Sequence, residues 1–256
     1  MPAQQVDLVL VLDASRSMKP CFAALCKHLE AVLIPLQGHI TKVNFGLLAM
    51  NVGKHGEGHV VRSYFLGGDK EILDDLYQSP VGAPISRQSF FTTDAADVVA
   101  RLEEIKPEGD EEMLIALDIA ADFPFGPLAS TKRVIALFSD EQFETGALGK
   151  GTAETLPQLM EKLQARHIQL FAAIPEGRSA EQLAAVDRSE IEFVESGGGL
   201  SSVDFGQLLR QMGKSISVSV LQATGEERYQ RGLFGQEDWG SGAGGDFTAD
   251  RTGPGQ

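Results

Sequence analysis

Residues 6–18 read VDLVLVLDASRSM: a nearly continuous apolar run from Val6 to Leu12 that ends on Asp13 and opens into a loop bearing Ser15 and Ser17. A run of Val and Leu without polar alternation suits a strand covered on both faces, the kind found in the middle of a parallel sheet. Immediately after it, Phe22, Leu25, Leu29, Val32 and Leu33 recur at helical spacing between Pro20 and Pro35, which predicts a crossover helix over 20–36. Strand then helix is one half of a βαβ unit.

The rest of the chain repeats that alternation. Residues 42–50 (KVNFGLLAM) and 59–66 (HVVRSYFL) read as two strands joined by a Gly-rich turn, and this spacing predicts one antiparallel edge strand. Helical patterns follow at 94–105, capped by Thr93 or Asp94, and at 111–123. Arg133 to Phe138 is a second buried strand, 152–166 an amphipathic helix, Ile168 to Ile174 a third buried strand, and 179–187, 191–195 and 202–214 a helix, a short strand and a last helix. The expected fold is α/β: a doubly wound, Rossmann-like, mostly parallel central sheet with one antiparallel edge strand and helices on both faces. Residues 1–222 form one domain in this reading. From 223 to 256 the chain is Gly-rich, polar and aperiodic, which predicts disorder.

Composition limits the function classes. The 256 residues, 43% hydrophobic and 23% charged, suffice for a core without cross-links. Cys21 and Cys26 lie five apart in a helical pattern, where they cannot easily bridge, so both read as reduced thiols. No apolar stretch approaches the roughly 20 residues of a membrane span, and the N-terminal stretch lacks the basic start of a secretory signal. A cytoplasmic protein is the expectation. The net charge of −14 repels phosphate backbones and anionic membranes, so nucleic acid is a poor partner. The five histidines lack metal-ligand spacing except His55 and His59, which flank a turn.

In open α/β sheets the ligand lies beyond the carboxyl ends of the central strands. There the sequence places Asp13-Ala14-Ser15-Arg16-Ser17-Met18, a carboxylate and two hydroxyls at every second position. Hard divalent ions such as Mg2+ take about six oxygens near 2.1 Å, part protein and part water, and an alternating Asp/Ser loop supplies one side of that shell. The blander alternative is that these residues cap the following helix, since Asp and Ser are favoured caps.

The Asp-x-Ser-x-Ser pattern, with its apolar strand before and Met18 after, resembles the metal-ion-dependent adhesion site of the von Willebrand factor A (VWA) domain family. The resemblance spans roughly residues 6–215. It implies that Ser15 and Ser17 ligate a metal, with Asp13 doing so directly or through water, and that the ion is Mg2+, or Mn2+ or Ca2+. It assigns Asp140, in VIALFSDEQFET, to the aspartate that the family places after a second strand, although Glu141 stands where glycine is common. The family's third loop, usually bearing threonine, matches PEGDEEMLIALDIAADF; counting back from Ala116-Leu117 selects Glu111, with Asp110 and Glu112 beside it as alternatives. A third carboxylate in the shell would tighten metal retention and weaken attraction for an anionic partner.

The implied function is a protein-interaction module, not an enzyme, in which a partner's Asp or Glu completes the shell of the ion. Intracellular members of the family belong to assemblies such as those of bacterial stress and tellurium-resistance operons. Two alternatives stand beside it. An Asp after a central strand also opens several Mg2+-dependent phosphatases and hydrolases, though the second aspartate that dehalogenase-type enzymes need two places on is here Ser15. A degenerate site in a purely structural domain is the other.

Overall fold

The computed structural model describes residues 5–20, 22, 25–29, 33, 42–55, 58–73, 86–142, 155–186, 188–194, 207 and 210–215. The expected tail at 223–256, Cys21, and parts of the helices expected at 20–36, 152–166 and 202–214 lie outside these residues. Among them, eight strands form one sheet: β1 (Gln5–Asp13), β2 (Val43–His55), β3 (Gly58–Phe65), β4 (Gly68–Leu73), β5 (Phe91–Thr92), β6 (Thr131–Phe138), β7 (Ile168–Pro175) and β8 (Ser189–Val194). The order across the sheet is β4-β3-β2-β1-β6-β7-β8, with β5 pairing β2 off this path.

β1 pairs in parallel with β2 on one side and β6 on the other, and β7 and β8 continue the parallel arrangement. From Val6 to Leu12 every apolar residue of β1 is fully buried, which explains why polar alternation is missing from its sequence. Leu8, Leu10 and Leu12 enter one core, with Leu25 and Leu29 of the first helix and Val98 and Leu102 of α1 (Ala95–Glu104). Val9 and Val11 enter the other, with α2 (Met113–Ala121), α3 (Leu156–Ala165) and α4 (Arg178–Ala184). Each buried Val or Leu contributes about 1.5–3 kcal/mol of transfer free energy, and the two-faced burial makes β1 the axis of the molecule.

The helices start where their caps dictate. Asp94 accepts from the Ala96 amide at 2.9 Å to open α1, and Thr155 with Gln158 closes a capping box at α3. β3 is the expected antiparallel strand, but β4 lies outside it and forms the edge. Its sequence, GDKEIL, carries three charged residues and no apolar run to announce a strand, a composition that suits a solvent-facing edge.

Chain connections run from β1 to β2 on one side, and the strands β6, β7 and β8 build out on the other. The carboxyl ends of β1 and β6 therefore meet at the point where the strand order reverses. Asp13 ends β1, and Ser139 and Asp140 follow β6.

Candidate functional site

Asp13 is fully buried, and each of its oxygens is held by a neighbour. Oδ1 accepts the Ser15 amide at 2.7 Å, and Oδ2 accepts the Ser139 hydroxyl at 2.7 Å. The first bond turns the loop so that Ser15 and Ser17 face one another, their Oγ atoms 2.9 Å apart and sharing a hydrogen bond. Ser17 Oγ then donates to Asp140 Oδ1 at 2.8 Å. Four of the five residues that the sequence nominated thus form one connected cluster spanning β1 and β6. Ser139, which the sequence did not single out, joins it: its hydroxyl also accepts the Glu141 amide at 3.2 Å.

The acidic turn arrives by a different route. Gly109, at φ +73°, lets the turn press against β2; a Cβ there would stand 2.1 Å from the Val52 carbonyl oxygen, so only glycine fits. Asp110 exchanges two backbone hydrogen bonds with Val52, both 2.8 Å. The Glu108 amide donates to the Ala14 carbonyl at 2.9 Å, and the Arg16 amide to the Gly109 carbonyl at 3.1 Å. Loop, turn and strand are laced together through the backbone.

Of the three carboxylates considered for the third loop, Glu111 is the one that lines the cleft half-buried, beside Ser15, Ser17 and Glu141. Asp110 lines the same cleft with its side chain exposed, and Glu112 occupies the N-cap position of α2 without a side-chain capping bond. The cleft is open, about 610 Å³ in volume, and its wall also carries Arg16 and Arg62. Arg62 is already paired with Glu71 at 2.6 Å and Glu108 at 3.0 Å.

Three carboxyl groups here, Asp13, Glu111 and Glu141, have their proton affinity raised. Burial pushes Asp13 upward, opposed by its hydrogen bonds and reinforced by the charge of Asp140. Glu111 is pushed up to about 7, by burial first and then by the charges of Asp13, Glu141 and Asp110. Glu141 is raised by burial, Asp140 and Asp13. Among the described residues no Lys or Arg lowers any of these three, and Asp140 Oδ2, fully buried, has no hydrogen-bond partner among them. Leaving a buried carboxylate oxygen unpaired costs about 1–3 kcal/mol or more.

This arrangement fits a hard divalent cation in donor type: carboxylates and hydroxyls only, with one oxygen unused. Among the described residues no three Asp, Glu, His or Cys side chains converge closely enough to hold an ion by themselves. The serine hydroxyls would therefore be needed as donors, and they stand between the two aspartates.

No protein-family model matches the chain, and no curated protein does. Solved structures do. The crystal structure of the SpRpn10 VWA domain is similar to this chain at a TM-score of 0.51 and 11% identity, over 82% of this chain and 95% of that one. A von Willebrand factor type A protein from Catenulispora acidiphila is similar at a TM-score of 0.48 and 14% identity, over 81% of this chain and 42% of its own. The first of these likenesses establishes the fold: the sheet and its helices have VWA architecture, as the Asp-x-Ser-x-Ser resemblance implied.

Proposed function

We propose that the chain is a metal-dependent protein-interaction module, with Mg2+, or Mn2+ or Ca2+, held by Asp13, Ser15, Ser17 and Asp140, and with Glu111 on the open side of the site. The observation that carries this reading is the buried Oδ2 of Asp140, which has no partner among the described residues and stands at the end of a hydrogen-bonded chain of oxygens. Two buried aspartates without a cation between them are costly, and a divalent ion offsets that cost. When bound, the ion acts as a Lewis acid toward an incoming oxygen; the open cleft admits a partner's Asp or Glu. Arg62, locked to Glu108 and Glu71, and the backbone-laced turn shape the wall against which that partner would dock.

An enzymatic reading is less well supported. A dehalogenase-type phosphatase needs a second aspartate two residues after the first as its general acid or base. The residue two after Asp13 is Ser15, whose hydroxyl is engaged with Ser17. On the resemblance to intracellular members of the family we place the module inside the cell, within a larger protein assembly; separately, among the described residues no helix is long and apolar enough to cross a membrane.

Calorimetric titration with Mg2+ and Mn2+ tests the reading. Wild type should bind one ion, and a Ser15→Ala/Ser17→Ala double variant that keeps its circular dichroism spectrum should bind none. Equal binding by both, or none by wild type, overturns it.

A further inference from the structure

Asn51 lies on β2, one residue past Met50, whose carbonyl receives the Ala14 amide at 2.8 Å. Its side chain is fully buried. Nδ2 donates to the Ala14 carbonyl at 3.2 Å and to the Tyr64 hydroxyl at 3.3 Å. Oδ1 is buried and has no partner among the described residues. An apolar residue of similar size would avoid that loss, so the amide is retained against its own cost.

What it secures is the peptide between Asp13 and Ser15. The Ala14 carbonyl takes two donors, the Glu108 amide from the acidic turn and the Asn51 amide from β2. That peptide sets the direction in which Asp13 enters the loop and Ser15 leaves it. Tyr64, across the β2–β3 ladder, holds the same Nδ2 from its other side. We infer that Asn51 is a positioning residue for the oxygen cluster: it fixes the Ala14 peptide so that Asp13 and Ser15 present their oxygens to a cation. The inference rests on the proposed metal function for its ligand, while its geometry stands without it.

A merely structural asparagine would behave differently on replacement. Asn51→Leu keeps the branched shape and the number of side-chain heavy atoms and removes the unpartnered Oδ1; the relief of that buried group offsets the added bulk of the methyl groups, so the metal-free protein should melt close to the wild-type temperature. Its Mn2+ affinity should fall about tenfold, the scale set by residues that orient metal ligands. Tyr64→Phe, which removes only the second contact of Nδ2, should lose less. Amide exchange in the metal-free protein supplies a readout independent of any ion: in Asn51→Leu the Glu108 and Arg16 amides should exchange faster, while Val52 and Asp110, paired directly with each other, should not change.

Wild-type Mn2+ affinity in Asn51→Leu, or a lower melting temperature with affinity unchanged, overturns the inference. Should Asn51→Leu fail to fold, Tyr64→Phe decides by the same two readouts. Should wild type bind no Mn2+, the metal reading fails on its own, and exchange at Glu108 and Arg16 decides this one: faster supports it, unchanged sinks it.

Discussion

Asp7 and Asp13 stand six residues apart on the same central strand, both fully buried, and they are treated in opposite ways. Asp7 is saturated: Oδ1 accepts from Asn44 Nδ2 and Arg87 Nη2, each at 2.6 Å, and Oδ2 from the Gly126 amide at 2.7 Å. Arg87 is fixed in turn by the Pro124 carbonyl and by the Phe91 ring, 4.4 Å below its guanidinium. Asp13 has hydrogen bonds but no cationic side chain among the described residues, and the charge that acts on it is that of Asp140, of the same sign. A buried carboxylate that carries its own counter-ion serves the fold; one left beside a second carboxylate is what the proposed metal function would use.

The comparison is most severely tested at Arg87. Replacement by leucine leaves Asp7 buried with its Asn44 and Gly126 hydrogen bonds but without its counter-ion at the amino end of β1; with Arg87 35% exposed, the cost should be roughly 2–3 kcal/mol, measurable by urea unfolding. Mg2+ affinity, set at the other end of the strand, should be unaffected. A cost below about 1 kcal/mol would mean that Asp7 tolerates isolation, and the distinction between the two ends would lose its basis.

At the other end the sign should reverse. Asp140→Asn removes one of two neighbouring buried charges, so the metal-free protein should hold its stability or gain about 1 kcal/mol, while the thermal shift produced by Mg2+ disappears. A substantial loss of metal-free stability would show that Asp140 works as a structural carboxylate, as Asp7 does.

How much of this was legible in the sequence follows from the physics of each residue. The apolar run of β1, the crossover pattern and the carboxyl-end placement of Asp13, Ser15, Ser17 and Asp140 could be read because period and spacing are local properties of the chain. Asp7 could not: inside VDLVLVLD it interrupts the run with no local sign that Arg87, 80 residues away, would neutralise it. Asn51 and Ser139 were equally silent, since their partners, Ala14 and Asp13, come from other strands. β4 was missed because an edge strand needs no apolar pattern. The arrangement of the acidic turn, with Asp110 and Glu111 both lining the cleft and Glu111 the more buried, while Glu112 takes the N-cap of α2, depends on the Gly109 turn, which no local pattern announces.

The smallest expected effect is the pH dependence that Glu111 confers. An ordinary glutamate titrates near 4.5, whereas Glu111 in the folded chain titrates at about 7, so between these values the native state binds more protons than the unfolded one. Stability from this group is then complete below pH 4.5 and is lost as pH rises through 7. For a half-buried carboxyl, screened by solvent, the loss is roughly 1 kcal/mol, a fall of about 2–4 °C in the melting temperature of the metal-free protein. Mg2+ should reverse that fall, because protons and the ion compete for the same carboxylates: its thermal shift should be absent near pH 4.5 and fully developed above 7. Glu111→Gln should flatten the metal-free profile. A wild-type profile that instead rises from pH 4.5 to 7 would mean that the charged form of Glu111 is stabilised within the fold.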